Sequence, residues 1–171
     1  DPAALVAMGL DVDDDLAFLA LLALQRRGRL NLVGVSITAG NAALRDTLAN
    51  AKSLLRLAGV KLEPAAGASY RDMHVPWPWV RRLHNVRGDV ASSSDAAEAM
   101  RAAVRARPPR SLTVIALGPL TNVAAALMDA DVAGRVGRVV SMGGALDGKR
   151  LDLNWMSDRA AARGVVASQV P

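Results

Sequence analysis

The stretch Ala3-Ala4-Leu5-Val6-Ala7-Met8-Gly9-Leu10-Asp11-Val12-Asp13-Asp14-Asp15-Leu16-Ala17-Phe18 decides the fold. An apolar run, Ala3 to Met8, leads into an acidic cluster, and the cluster opens a second apolar run, Leu16 to Leu24. This places Asp11, Asp13, Asp14 and Asp15 at the end of a buried strand and the start of a helix. Like charges crowded there repel one another, and the repulsion is best relieved by a bound cation or by groups that hydrogen-bond the carboxylates. Asp at a helix start also answers the free N–H groups and the macrodipole, but one or two would suffice for that.

Outward from this stretch the same rhythm repeats. Ala4 to Met8, Leu30 to Ile37, Val60 to Pro64, Leu112 to Leu117 and Val136 to Met142 read as short buried strands rich in β-branched residues. Between them Asp14 to Arg27, Ala43 to Ala58, Ser94 to Ala106 and Leu120 to Ala130 carry apolar positions at three- and four-residue spacing, as amphipathic helices require. The order βαβα predicts an α/β fold, a doubly wound and mostly parallel sheet with helices on both faces. Ligands of such folds sit beyond the carboxyl ends of the strands. The residues with chemical potential do follow strands: the acidic cluster, Thr38-Ala39-Gly40-Asn41, Gly118-Pro119-Leu120-Thr121-Asn122 and Met142-Gly143-Gly144. Each also has a plain explanation, Asn41 as a helix cap, Gly118-Pro119 as a turn and Gly143-Gly144 as a bend needing positive φ. The segment 66–90 breaks the rhythm with Pro76-Trp77-Pro78-Trp79, His74 and His84 in a long irregular connection, which fits either a lid or a surface excursion packed by its own tryptophans.

Composition narrows the function classes. The chain has 171 residues, 51% of them hydrophobic and 22% charged, which predicts one globular domain over residues 1–171 rather than disorder. With no cysteine there is no disulfide framework, thiolate nucleophile or Cys-based zinc site, so a metal would be held by oxygen or by His74 and His84. The net charge of +5 comes mostly from arginines scattered along the chain, and one Tyr and one Phe make no stacking platform, so a nucleic acid polymer is not the expected partner. The run Leu16 to Leu24 is too short to span a bilayer and is flanked by acid where a signal peptide has positive charge, so no membrane partner is expected and the cytoplasm is the expected compartment. The chain begins at Asp1 without an initiator Met, as expected of a processed, trimmed or incomplete product.

In this order, these residues resemble the inosine-uridine preferring nucleoside hydrolase family. The family carries an Asp-x-Asp-Pro-Gly-x-Asp-Asp-x-x-Ala signature, a Gly-Asn after the second strand, Gly-Pro-Leu-Thr-Asn and Met-Gly-Gly turns, and a Phe-Asn-x-x-x-Asp segment. The counterparts here are Asp13-Asp14-Asp15-Leu16-Ala17, Gly40-Asn41, Leu117 to Asn122, Met142-Gly143-Gly144, and Asp152-Leu153-Asn154 followed by Asp158. The resemblance runs from about residue 4 to the end. It implies a nucleoside hydrolase-like, Rossmann-like fold and an N-glycosidase that splits ribonucleosides into ribose and free base, with Ca²⁺ gripping the ribose hydroxyls and a water while an Asp takes that water's proton. Hard oxygen ligands suit Ca²⁺, and metal with base makes water nucleophilic near neutral pH. Carried over by position, Asp14 and the backbone carbonyl of Leu117 would be metal ligands. Asp13, Asn41 and Asn154 would hydrogen-bond the ribose, Met142 would line its pocket, Asp152 would be an acidic sugar contact, and His84 would lie over the base.

Two departures accompany the matches. In register, the signature's two earlier Asp fall on Ala7 and Gly9 and its glycine falls on Asp11, so the family's general base and bidentate ligand position is Gly9. Asp11 is the stand-in for both roles, as base and as metal ligand. Family members also run on for a further domain portion bearing a His-Asp pair, so the resemblance implies an incomplete, N-terminal portion whose sheet exposes an apolar edge that a partner chain, such as a second copy in a homo-oligomer, would cover. Two readings follow: a nucleoside hydrolase domain, or a catalytically dead member that binds ribose, nucleoside or calcium as an interaction module. A doubly wound domain using Mg²⁺ for phosphoryl chemistry would want a phosphate-cradling Gly-rich loop with Lys, which the chain lacks.

Overall fold

A computed structural model describes residues 2–9, 12–40, 42–69, 93–145 and 152–171. Asp11, Asn41, His84 and nearly all of the 66–90 connection lie outside the described residues. The strands are β1 (Ala3–Met8), β2 (Asn31–Ile37), β3 (Ala65–Ala66), β4 (Leu112–Ala116) and β5 (Arg138–Ser141). The helices are α1 (Val12–Arg26), α2 (Leu44–Leu57), α3 (Ser93–Arg105), α4 (Thr121–Leu127), α5 (Ala130–Arg135), α6 (Leu153–Ser157) and α7 (Arg159–Ala167). All pairings are parallel, in the order β3-β2-β1-β4-β5. The chain thus winds one way from β1 to β3 and the other way from β4 to β5, and the order reverses between β1 and β4.

β1 is buried along its whole length and feeds both sides of the sheet. Successive side chains of a strand point to opposite faces, so Val6 and Met8 join Phe18, Leu22, Val35, Ile37 and Leu55 under α1 and α2. Leu5 and Ala7 join Met100, Val114, Leu120, Val123 and Val165 under α3, α4 and α7. An irregularity in the β1–β2 register lets Leu32 and Val35, three apart, enter the same core: Ala4 faces Leu32 but Leu5 faces Gly34, which skips Val33. On α1, Phe18 and Leu22 are buried while Leu16, Leu19 and Leu24 remain exposed, as does Val140 on β5. Val139 donates its N–H to the Pro171 carbonyl at 2.6 Å, so the last residue sits beside this strand.

Two expected elements differ from those observed, and two helices form where none was expected. The strand expected at Val60 to Pro64 is replaced by the two-residue β3, and the donors at both ends of the expected run are used or missing. Gly59, at φ +71°, closes α2, the Val60 N–H donates to the Leu55 carbonyl at 3.0 Å, and Pro64 has no N–H. The single helix expected at Leu120 to Ala130 is two, because Asp129 is extended and its side chain accepts from Val132 N at 3.2 Å, starting a new helix. Beyond β5, α6 and α7 form where the sequence displayed only a motif. Asp152 accepts from Trp155 N at 3.0 Å and Asp158 from Ala161 N at 2.9 Å, each capping a helix start.

Candidate functional site

Where the strand order of an open parallel sheet reverses, the turns on either side diverge and leave a crevice. Here that point lies between the ends of β1 and β4, and the turns meet as bare backbone. A Cβ on Gly118 would stand 2.9 Å from Gly9 N, closer than a side chain tolerates, and 3.2 Å from Thr38 Oγ1. Gly40 completes the contact from β2, with a Cβ position 3.9 Å from Gly9 Cα and 4.0 Å from Pro119 Cδ. The glycines therefore bring the three strand ends together.

Asp14 stands over this junction. It lies in the first turn of α1, is only 4% exposed, and its Oδ2 is 3.2 Å from where a Cβ on Gly9 would be. Asp13 is exposed and its Oδ1 accepts from Asp14 N at 2.9 Å, answering one free amide of the first turn. Asp15 faces away toward α2, where Asn50 Nδ2 donates to its Oδ1 at 2.8 Å. The three described residues of the acidic cluster are thus a buried carboxylate at the crevice, an acceptor for a first-turn amide and an interhelix tie.

On the other side, Asn154 Nδ2 donates to the Leu117 carbonyl at 2.9 Å and to the Met142 carbonyl at 3.2 Å, joining the ends of β4 and β5. Met142 is 37% exposed at the rim. Asp152 holds the turn after β5: its Oδ2 accepts from Gly144 N and its Oδ1 from Trp155 N. Trp155 lies across Gly143 and Gly144, whose φ values of +148° and +84° suit glycine, and its Nε1 donates to Ser141 Oγ at 3.1 Å. Asp13, Asp14, Leu117, Met142, Asp152 and Asn154 accordingly all occupy the carboxyl-end rim of the sheet.

Asn122 plays a part that sequence reading left open. Fully buried, it donates from Nδ2 to Ser36 Oγ at 2.7 Å and to the Ile37 carbonyl at 3.0 Å, and its Oδ1 accepts from Ala68 N at 2.9 Å. It locks the β4–α4 turn to the ends of β2 and β3. Thr121 Oγ1 donates to Asp158 Oδ2 at 2.8 Å, tying α4 to the start of α7. The spacing of Asp152 to Trp155 and Asp158 to Ala161 is a capping signal legible in the chain; the partners of Asn122, up to 86 residues away, are not.

A family model described as inosine-uridine preferring nucleoside hydrolase matches residues 8–171. The chain belongs to this family. Uridine nucleosidase 1 of Arabidopsis thaliana is 33% identical over 146 residues, covering 78% of this chain and 42% of the plant protein. The purine-preferring ribonucleoside hydrolase of Gardnerella vaginalis superposes with a TM-score of 0.74 at 25% identity, over 99% of this chain and 58% of that one. An inosine-uridine preferring nucleoside hydrolase of Bacillus anthracis shares the fold, with a TM-score of 0.73 at 19% identity over 99% of this chain and 63% of that one. The chain spans about half the length of the relatives it matches. No helix among the described residues is long and apolar enough to cross a membrane.

The position that the sequence assigns to the signature's second Asp is Gly9, and its missing side chain would emerge against Asp14. Ca²⁺ takes roughly six to eight oxygens. The described residues offer the Asp14 carboxylate and the Leu117 carbonyl, which already accepts from Asn154, and no group of three or more His, Asp or Glu among them could hold a metal ion. The described donor set does not fit calcium.

Proposed function

We propose that the crevice between the β1 and β4 turns receives the ribose of a nucleoside, and that the reaction class of the whole protein is hydrolysis of the N-glycosidic bond. The observation that carries this reading is the convergence of the family's motif residues on the strand-order reversal, where glycine contacts leave Asp14, Asn154 and the Leu117 carbonyl at one rim. In the reaction, water adds to the anomeric carbon, the carbon–nitrogen bond breaks with its electron pair leaving on the base nitrogen, and that nitrogen gains a proton. The products are ribose and free base.

This chain's residues are assigned to binding and orientation. Asp13 and Asp14 accept from ribose hydroxyls, while Asn41, Asp152 and Asn154 supply further polar contacts. Met142 forms an apolar wall, and His84 faces the base. Asp11 is proposed to take the proton of the attacking water, and a base misplaced by 1 Å costs on the order of a hundredfold in rate. The substrate is a free ribonucleoside rather than a nucleic acid polymer or a membrane component, and a second copy of the chain is the proposed protein partner.

A second reading, binding of ribose or nucleoside without turnover, is favoured by Gly9, because the position that would present a carboxylate beside Asp14 has no side chain. One experiment separates the two. The purified chain is incubated with inosine and uridine and released ribose is measured as reducing sugar, while ribose binding is followed by calorimetry. Release of ribose supports hydrolysis; binding without release supports the second reading. Neither binding nor release sinks both.

A further inference from the structure

The glycines around the crevice are there for different reasons. Gly118 is imposed by backbone, since its Cβ would meet Gly9 N at 2.9 Å. Gly67 is imposed by a locked side chain, since its Cβ would fall 2.2 Å from Asn122 Nδ2. Gly9 is imposed by neither. Its φ is outside the left-handed range, and what its Cβ would meet among the described residues is Asp14 Oδ2 at 3.2 Å, the tip of a side chain rather than backbone. The fold would therefore accept a larger residue at position 9, and that residue would point at the one buried carboxylate among the described residues.

We infer that position 9 decides whether this crevice holds a divalent cation, and that with glycine there the chain does not hold calcium. Two carboxylates facing each other in a sheltered crevice disfavour their joint ionisation unless a cation lies between them, and that mutual need is what makes an oxygen site for calcium. With Gly9 the described residues form no such pair: Asp13 accepts from the Asp14 amide and Asp15 is held by Asn50, so neither takes the missing place, while Asp11 lies outside the described residues. A ligand entering the crevice then meets hydrogen-bonding groups rather than a resident ion. The inference rests on the crevice being the ligand site, but its test uses no nucleoside, so failure of the hydrolase reading and failure of this one are distinguishable.

The test is a calorimetric titration of calcium into the unchanged chain, Gly9→Asp and Gly9→Asn, with the melting temperature of each measured with and without calcium. The unchanged chain should show no saturable binding up to about 1 mM calcium, the weak end of protein calcium sites. Gly9→Asp should bind at least about tenfold more tightly than Gly9→Asn, which has the same bulk without the charge, and calcium should raise its melting temperature. Adding Asp14→Asn to Gly9→Asp should remove the gain. Saturable binding by the unchanged chain, or equal behaviour of Gly9→Asp and Gly9→Asn, overturns the inference. If Gly9→Asp folds only when calcium is present, the inference is supported; if calcium does not rescue it while Gly9→Asn folds, or if neither variant folds, position 9 does not have the tolerance inferred and the inference fails.

Discussion

The turn after β4 and the turn after β1 touch through Gly118 and Gly9, and they differ in what their polar groups do. After β4, Asn122 is joined to Ser36, Ile37 and Ala68, Thr121 to Asp158, and the Leu117 carbonyl to Asn154. After β1, the described acidic residues separate into Asp13 accepting from a first-turn amide, Asp15 tied to α2 and the buried Asp14 beside Gly9. The β4 turn is thus a structural latch, and the β1 turn is the side to which the proposed function assigns the ligand. Family motifs include both kinds of residue, and a motif by itself does not separate them.

Breaking the latch should produce the largest effect on stability. Asn122→Leu leaves a buried hydroxyl, carbonyl and amide without their partner, and should cost about 2–4 kcal/mol in urea unfolding, at about 1–3 kcal/mol per strongly desolvated group with partial relaxation. A cost below about 1 kcal/mol would show that the latch is dispensable. Gly67→Ala attacks the same latch by bulk and should cost about 1–3 kcal/mol. Its effect should shrink in an Asn122→Ala background, since the overlapped side chain is then gone, and strictly additive losses in that cycle would deny the coupling.

The β1 turn should answer to binding. Asp14→Asn should weaken ribose binding about tenfold, equivalent to about 1.4 kcal/mol, measured by calorimetry on folded protein. Unchanged affinity would move the ligand site away from the crevice. Thr121→Val, which removes the contact to Asp158 at the periphery of the latch, should lower stability by about 1 kcal/mol with ribose affinity unchanged.

The smallest effect concerns pH, away from both turns. The Val132 amide, and after it the Arg105 guanidinium, hold the Asp129 carboxylate below its ordinary range. A carboxylate lowered on folding contributes stability above its unfolded pKa and loses that contribution as pH falls through its folded pKa. Asp129→Asn should therefore flatten the acid limb of the melting curve slightly and leave ribose binding at neutral pH unchanged; an acid limb identical to that of the unchanged chain would remove Asp129 from the account.

Much of the fold was legible in local pattern because its cause is local. The alternation of β1 sends Val6 and Met8 one way and Leu5 and Ala7 the other, and the helical spacing of Phe18 and Leu22 turns one side of α1 to the core. The failures arose where backbone donors were redirected. Val60 looked like a strand residue but closes α2, and Asp129 looked like helix interior but begins α5. In the site, the motif residues were legible as strand-end residues, whereas their division between fold and ligand was not.

The sequence by itself determined the layers, the family and the rim on which chemistry would sit, since periodicity and strand-end motifs are properties of neighbours along the chain. Only the tertiary structure decided that Asn122 is a latch, that Asp15 is tied to α2, and that Gly9 lies against Asp14. The physical reason is that these assignments depend on which strand ends the sheet order brings together. Asn122 and Ser36 are 86 residues apart and become partners because β1, flanked by β2 and β4, sets their ends side by side.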